Sequence, residues 1–187
     1  MRRREKCFKN FLFILFLLTA LWAVLIIVAP LFFPENSITD LSGVVVIDDN
    51  RDITESMGFP WNIVYTVGDR LCHQEAPRSF FLNGNQMPFC SRCTAIFVGL
   101  ALGLGFIVFY KIELDEKFVL FLILSMVPIG VDGVGQLFGL WESNNIIRVL
   151  TGGLVGVFCG IAIGVIRDEI VNTRFSRKKY CIRIKNK

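Results

Sequence analysis

Three cysteines and the single histidine of this 187-residue chain lie within 22 residues of one another: Cys72, His73, Cys90 and Cys93. Zinc favours thiolate and imidazole ligands, and the spacing of Cys90 and Cys93 is typical of a zinc knuckle. Adjacent side chains on a helix point about 100° apart, so Cys72 and His73 can share one ion only if a helix ends there. The four residues therefore predict a metal site, with zinc as the first choice and iron as the alternative.

The same cysteines also suit redox chemistry. A C-x2-C pair at the start of a helix has a lowered thiol pKa, and an outward-facing pair lies in an oxidising compartment. Cys72 would then act as the resolving thiol for Cys90 and Cys93. Four-span membrane enzymes that pass electrons from such pairs to quinone are an architectural analogy, so a quinone-linked thiol–disulfide oxidoreductase is the alternative function. One inert disulfide with a spare cysteine is a third interpretation.

Polar residues inside the apolar segments form a second group with chemical potential. Asp132 and Gln136 lie one helical turn apart, and Asp132 precedes Trp141 by nine residues, about 14 Å along a helix. A carboxylate at that depth is costly unless it is paired, so we expect an ion pair with Arg148 across the short turn 142–145. A structural pair that fixes helix register is an equally good interpretation.

Arginines extend this polar group towards an anionic ligand. Arg78, Arg92 and Arg148 carry planar guanidinium groups that match the oxygens of phosphates and carboxylates. A zinc ion with an open position would activate water, with Asp132 as a base or as the residue that orients Arg148. The predicted function is a metal-dependent enzyme acting on a lipid-linked or anionic substrate, with Asp132, Gln136, Arg148, Arg78 and Arg92 as the catalytic group. A transporter and a purely structural membrane protein are the remaining alternatives.

The elements that must position these residues are membrane-spanning helices. Apolar residues make up 53% of the chain and charged residues 19%, which excludes disorder, and six cysteines are too few for a disulfide-stabilised miniprotein of this length. Four apolar runs are long enough to cross a bilayer: 11–33, 94–110, 118–141 and 146–166. The predicted fold class is an all-α integral membrane protein with four transmembrane helices, the last three forming a compact bundle.

The distribution of charge predicts the orientation of these helices. Residues 1–10 carry five basic residues against one acid, residues 167–187 carry eight against two, and the loop 34–93 carries four against eight. Positive flanks stay in the cytoplasm, so we expect both termini there and the Cys/His site outside, in a multi-pass protein of the plasma membrane. The expected partners are bilayer lipids and an anionic small molecule, and nucleic acid is not indicated.

The chain divides into four predicted segments. They are a basic N-terminus with a transmembrane anchor (1–33), an outer acidic loop (34–57), a membrane domain that carries the Cys/His site (58–166) and a basic cytoplasmic tail (167–187). The first apolar run is longer than the apolar region of a signal peptide, so we interpret it as a retained anchor.

Two local patterns describe the outer part of the membrane domain. From Pro60 apolar residues recur at helical spacing, which predicts an amphipathic helix on the membrane or over the bundle. Its apolar face comprises Trp61, Val64, Tyr65, Leu71 and Cys72, whereas Asp69 lies elsewhere on the helix. The dipeptide Asn83-Gly84 predicts a turn within a Cys-rich hairpin.

Glycines at four-residue spacing predict close helix packing. The fourth apolar run has a stripe of four: Gly152, Gly156, Gly160 and Gly164. Gly99 and Gly103 make one such step in the second run. Because glycine has no side chain, two helix backbones can approach closely along such a stripe. Arg148 lies one turn before the stripe and is expected to point into the bundle.

Spaced motifs in this region resemble a known family. They read CHQ at 72–74, RSF at 78–80, Gln86 with Pro88, C-x-RCT at 90–94, DGxxQ at 132–136 and Asn145-x2-Arg148-x2-Thr151-Gly152. Over about residues 58–164 the chain resembles the predicted membrane proteins known as domain of unknown function 2085, although Ala95 stands where members usually have glycine. The resemblance implies no activity. It implies that one site contains Cys72, His73, Gln74, Arg78, Ser79, Gln86, Cys90, Arg92, Cys93, Asp132, Gln136 and Arg148.

Overall fold

The computed structural model describes residues 2–41, 46–47 and 49–185, and most of them are helical. The helices are α1 (Arg2–Val28), α2 (Arg51–Glu55), α3 (Trp61–Leu71), α4 (Ser91–Phe109), α5 (Glu116–Leu137) and α6 (Asn145–Lys185). The strands are β1 (Ser79–Leu82) and β2 (Asn85–Cys90), and short 3-10 turns cover Ala29–Phe32 and Ala76–Arg78. The prediction of a mainly helical chain is confirmed, with a small sheet added to it.

Within the described residues, four helical segments are long and apolar enough to cross a membrane. They are Asn10–Phe32, Ser91–Phe109, Glu116–Leu137 and Asn145–Val171. Each overlaps one of the four apolar runs of the sequence. The helix of the fourth run continues without a break beyond the apolar part, through the basic residues to Lys185.

The end of α5 lies earlier than the apolar run predicts. The helix ends at Leu137, and Gly139 adopts a left-handed backbone with φ 67° that reverses the chain. The amide of Leu140 donates to the carbonyl of Gly135 over 2.9 Å, and the ring of Trp141 folds back onto Gly135. Asp132 is therefore five residues from the end of its helix, about 7.5 Å, and the expected depth of 14 Å below Trp141 is wrong.

Helices α4 and α6 form the tightest pair of the bundle, through the predicted glycine positions. A Cβ atom on Gly103 would overlap the carbonyl of Val157, and one on Gly156 would overlap the backbone of Ile96. Helix α1 packs against α4, and α5 packs against α6. The bundle therefore includes α1, and is larger than the expected group of three C-terminal helices.

The hairpin of β1 and β2 forms at the predicted turn. Asn83 and Gly84 both have positive φ, 54° and 68°, which is the type I′ geometry that an Asn-Gly pair favours. Leu82 pairs with Asn85 across this two-residue loop, and the two strands are antiparallel. Cys90 is the last residue of β2, so the hairpin leads directly into α4.

A separate apolar core covers the end of the bundle that carries the hairpin, which we call the cysteine end. Residues from the C-terminal part of α1, the segment after it, α3 and β2 share this core: Ile26, Ala29, Ile38, Leu41, Met57, Val64, Tyr65, Met87 and Phe89. The described part of the acidic loop is thus packed into the cysteine end and is not an isolated connection. The apolar patch Val44-Val-Val-Ile47 of this loop has the composition of a short β-strand, but it falls partly outside the described residues.

Helix α3 has the predicted extent but a different buried face. Val64 and Tyr65 are buried as expected, whereas Leu71 is 60% exposed. Asp69 is 1% exposed, and its carboxylate accepts hydrogen bonds from the backbone and side-chain amides of Asn50 at 3.1 and 2.6 Å. A hydrogen-bonded carboxylate can be buried where the hydropathy pattern predicts a polar surface.

Candidate metal centre and arginine cluster

Three cysteines from different elements converge at the cysteine end. Cys72 follows α3, Cys90 ends β2, and Cys93 lies in the first turn of α4. Their Sγ atoms all lie within 4.8 Å of one another. The backbone amide of Cys90 also donates to the sulfur of Cys72 over 3.3 Å. This arrangement has the size of a site that could hold a metal ion.

His73 lies apart from these three thiols. The helix ends before Cys72, as sharing an ion would require, but Cys72 then adopts an extended backbone with φ −142° and ψ 145°. Side chains of adjacent residues in an extended chain point to opposite sides. Cys72 is buried towards the other two thiols, whereas His73 is exposed and is not part of the group. The expected fourth ligand is therefore corrected: the structure brings together three cysteines without the histidine.

Gln74 holds the segment of Cys72 against the hairpin. Its side chain is 1% exposed, and its Nε2 donates to the carbonyl of Pro88 in β2 over 2.7 Å. A side chain on Gly68 would collide with this same carbonyl, so glycine there allows α3 to approach β2. Gln74 thus positions the thiols and does not face the site as a ligand.

The side chain of Gln86 holds the hairpin against neighbouring segments of the chain. Its Oε1 accepts from the amide of Leu41 over 2.9 Å, and its Nε2 donates to the carbonyl of Leu41 and to the hydroxyl of Ser79 over 3.1 and 3.2 Å. Nε2 also donates to the carbonyl of Gln74. Gln86 and Ser79 therefore connect the chain after α1 to the hairpin, and their place in the family motifs reflects positioning.

The three thiols perturb one another electrostatically. Interactions with the thiols of Cys72 and Cys93 lower the pKa of Cys90, and the amides of Cys93 and Arg92 at the start of α4 lower it further, against the effect of burial. The interaction with Cys90 raises the pKa of Cys72, to which burial also contributes. Cys90 therefore loses its proton more readily than Cys72. The thiolate is the form that binds metals.

The ion pair of Asp132 differs from the expected one. Asp132 pairs with Arg92, whose backbone carbonyl lies close to Gly152 of α6. Arg148 instead donates to Oε1 of Gln136 over 3.0 Å and to Oδ1 of Asn145 over 3.4 Å. The expected Asp132–Arg148 pair is wrong because Arg92, in the first turn of α4, supplies the guanidinium that Asp132 binds. Arg148 is nevertheless buried in the bundle, as the glycine stripe predicted.

Asn145 is a connecting residue that the sequence analysis did not assign to the site. Its Oδ1 accepts from the hydroxyl of Ser91 over 2.9 Å as well as from Arg148, and its Nδ2 donates to the carbonyl of Ser79 over 3.4 Å. It thereby joins α4, α6 and the hairpin. The Asn145-x2-Arg148 motif contained this signal, because residues three apart lie on the same face of a helix.

Arg78 lies on the more exposed side of this cluster. It forms a two-point ion pair with Glu75, with N–O distances of 2.9 and 3.1 Å. Arg78, Gln136 and Arg148 line a common cavity of about 550 Å³ between the hairpin, the end of α5 and the start of α6. The predicted site residues thus divide into a thiol group, an Arg92–Asp132 pair and this cavity.

Similarity to known proteins places the chain in a family without a known activity. A family model described as a predicted membrane protein, DUF2085, matches residues 72–163. An uncharacterized protein of Methanocaldococcus jannaschii, MJ1492, is 36% identical over 115 residues, which are 60% of this chain and 73% of that protein. An uncharacterized protein of Methanothermobacter thermautotrophicus is 31% identical over 102 residues, which are 54% of this chain and 92% of that protein. No solved structure matches. The chain belongs to the DUF2085 family of predicted membrane proteins.

Proposed function

We propose that this protein is an integral membrane metalloprotein in which Cys72, Cys90 and Cys93 bind one zinc ion, and that it acts as a metal-dependent enzyme. The observation that carries the proposal is the mutual proximity of the three Sγ atoms, within 4.8 Å. Zinc bound tetrahedrally by thiolates at about 2.3 Å holds their sulfurs roughly 3.8 Å apart. Small side-chain movements reach that separation.

The convergence of three thiols favours a metal over a structural disulfide. A disulfide joins two cysteines and gives no reason for a third to approach them. Here Cys72 is buried and the other two are half-buried, so a bound ion would be shielded by protein on one side and accessible on the other.

An enzyme is favoured over a purely structural zinc site because three protein ligands leave one coordination position open. Zinc in such a site lowers the pKa of a bound water to about 7. Arg92 lies between two of the ligands in sequence, and Asp132 holds its guanidinium. These two residues, with Arg78, Gln136 and Arg148, are the proposed groups that hold and orient a substrate.

Metal analysis of the purified full-length protein tests the zinc site. Elemental mass spectrometry is expected to find about one zinc per chain in the wild type. Cys72→Ser, Cys90→Ser and Cys93→Ser are expected to lose most of it. Two matched controls should retain it: Cys159→Ser, which lies in the middle of α6, and His73→Ala, which lies outside the thiol group.

Two results would contradict the zinc site. The first is stoichiometric zinc that persists in Cys90→Ser. The second is a wild-type protein that binds no zinc even when it is purified without chelators and supplied with the ion. Loss of zinc in His73→Ala would instead show that His73 is a ligand. The segment 72–74 would then have to differ from the arrangement described here.

A second candidate is a quinone-linked thiol–disulfide oxidoreductase. Cys90 and Cys93 frame the N-terminal end of α4, and the lowered pKa of Cys90 suits an attacking thiolate. In that reaction the two thiols lose two protons and two electrons as the S–S bond forms. A quinone accepts the two protons and the two electrons and becomes a hydroquinone. An apolar cavity of about 710 Å³ beside Met87, Ser91 and Thr94 has room for a quinone ring.

Thiol trapping in membranes distinguishes the two candidates. A Cys90–Cys93 disulfide whose fraction changes with the reduction state of added quinone supports the redox function. Thiols that stay free under all of these conditions oppose it. Zinc that remains bound while the thiols stay free supports the metal site.

The proposed location is the plasma membrane, with both termini in the cytoplasm and the thiol group outside. The four long apolar helices and the membership of a predicted membrane protein family support insertion. The basic residues of the flanks 1–10 and 167–187 support this orientation.

A further inference from the structure

The cavity beside Arg148 has the features of an anion site. It has a volume of about 550 Å³ and opens at the cysteine end, where α5 ends and α6 begins. Polar and charged side chains line much of it: Glu75, Arg78, Gln136, Glu142, Ser143 and Arg148. Glu142 is exposed, so water screens its charge more than that of the buried groups.

Arg148 differs from the two other arginines of the cluster in its partners. Arg78 pairs with Glu75 and Arg92 with Asp132, whereas Arg148 donates only to the neutral oxygens of Gln136 and Asn145. Within the described part of the chain, no carboxylate forms an ion pair with Arg148. Its side chain is nevertheless 5% exposed and faces the cavity. A buried charge without a counter-charge is unfavourable, so the arrangement indicates a negative group that binds from outside the chain.

The other two arginines of the cluster are already paired with carboxylates. Arg78 lines the same cavity as Arg148, and Arg92 lies in the first turn of α4 against Asp132. The carboxylates of Asp132 and Glu75 are already engaged by the other two arginines. Arg78 and Arg92 thus each have a carboxylate in contact, whereas Arg148 has none among the described residues.

We infer that this cavity binds a phosphate monoester group, with Arg148 as its counter-charge. A guanidinium presents several N–H donors to phosphate oxygens, and the Ser143 hydroxyl and Gln136 amide add neutral donors. Arg148 is three residues into α6, about 4.5 Å from its start, so the bound group lies near the helix end, at the level of lipid headgroups if the helix spans the membrane. The phosphate source is a lipid headgroup or a soluble phosphate ester.

This inference rests on the proposed function only where it makes the phosphate compound the substrate of the enzyme. Phosphate binding itself depends on the arginines and not on the thiols. Cys90→Ser is therefore expected to lose zinc and to keep phosphate binding, so that failure of the zinc site and failure of the anion site are separate results.

Binding measurements on the full-length protein test the anion site. Equilibrium dialysis with inorganic phosphate and native mass spectrometry with phosphatidic acid, against phosphatidylcholine, are the two assays. Arg148→Gln is expected to weaken binding roughly tenfold or more, and Arg148→Lys to weaken it less. Arg51→Gln, a surface residue paired with Glu55, is the matched control and should leave binding unchanged. Glu75→Gln should tighten it, because it removes a carboxylate that competes for Arg78.

Glu75→Gln is expected to tighten phosphate binding, whereas Arg148→Gln is expected to weaken it. A general structural defect would weaken binding in both variants. Binding of phosphatidic acid without inorganic phosphate identifies the lipid as the source, and the reverse identifies a soluble ester. Equal binding by the wild type and Arg148→Gln overturns the inference, as does absence of binding to both probes. Loss of zinc in Arg148→Gln with phosphate binding unchanged also overturns it, because Arg148 would then serve as the counter-charge of the thiolates.

Discussion

The side-chain amide of Gln86 connects separate parts of the chain by hydrogen bonds. Its amide is fully buried and connects Leu41, Gln74 and Ser79, which belong to three separate stretches of chain. The hydroxyl of Tyr65 donates to its backbone carbonyl over 2.9 Å. Buried polar groups are tolerated when they are hydrogen-bonded, and here one side chain satisfies both backbone groups of Leu41.

Gln86→Ala is expected to destabilise the protein by about 2–4 kcal/mol, because it leaves the amide and carbonyl of Leu41 buried without these partners. Thermal unfolding of the purified full-length protein in detergent measures the change. Glu55→Ala is the control: its ion pair with Arg51 is exposed, and we expect a loss below about 1 kcal/mol. Equal effects of the two variants would show that Gln86 has no special structural role.

The Arg92–Asp132 pair makes a different prediction at the same scale. Asp132→Asn leaves the guanidinium of Arg92 partly buried without its carboxylate, and removing one partner of a buried pair costs about 3–5 kcal/mol. The double variant Arg92→Gln/Asp132→Asn removes both charges and should be less destabilised than the sum of the single variants. A double-mutant cycle from unfolding data measures this coupling. Strict additivity would mean that the two charges do not interact.

At the scale of elements, the contact between α4 and α6 depends on glycine. A Cβ atom on Gly156 would meet the backbone of Ile96 and Leu100, which cannot move unless α4 moves. Gly133 on α5 has open space at the same atom. The same substitution therefore has different consequences on two helices of one protein.

Gly156→Ala is expected to destabilise the bundle by about 1–3 kcal/mol through overpacking. Gly133→Ala should leave stability unchanged or raise it by up to about 1 kcal/mol, because alanine favours the helix and meets no neighbour. Unfolding of both variants under one set of conditions tests the contrast. A tolerated Gly156→Ala would indicate that the two helices are farther apart than described.

The elements could be predicted because their signals are local. Hydropathy marks four long helices, the Asn83-Gly84 pair selects the hairpin turn, and glycine spacing marks the packed faces of α4 and α6. Each of these signals depends on residues that are close in sequence. They predict which segments form and which faces meet, but not how a helix is rotated against a third one.

The parts of the site that could not be predicted depend on that rotation and on helix ends. One short turn connects the helices of Asp132 and Arg148 and predicts that they pair, yet the partner of Asp132 is Arg92 of α4. His73 follows a cysteine of the thiol group, but the extended backbone of Cys72 sends it the other way. Periodicity alone could not anticipate either outcome.

At the scale of the whole molecule, the two ends of the bundle differ in what they carry. The start of α1, the end of α4 and the later part of α6 meet at one end through Leu12, Ile107 and Val165. The cysteine end carries the hairpin, α3 and the described part of the acidic loop. The basic flanks extend from the end that contains Leu12, Ile107 and Val165. The charge difference between these flanks and the acidic loop, which predicts the orientation, therefore also distinguishes the two ends of the fold.

The proposed orientation predicts which surface positions are accessible from outside an intact cell. An epitope tag inserted into the full-length chain at Gly58, an exposed position before α3, should bind antibody on intact cells. A tag at Glu113, in the exposed link between α4 and α5, should bind only after permeabilisation. Zinc content and thermal stability of the tagged proteins are the controls for correct folding. Antibody binding to the Glu113 tag alone on intact cells would reverse the proposed orientation and place the thiols in the reducing cytoplasm. The disulfide-based function would then lose its support, whereas the metal site would keep its support.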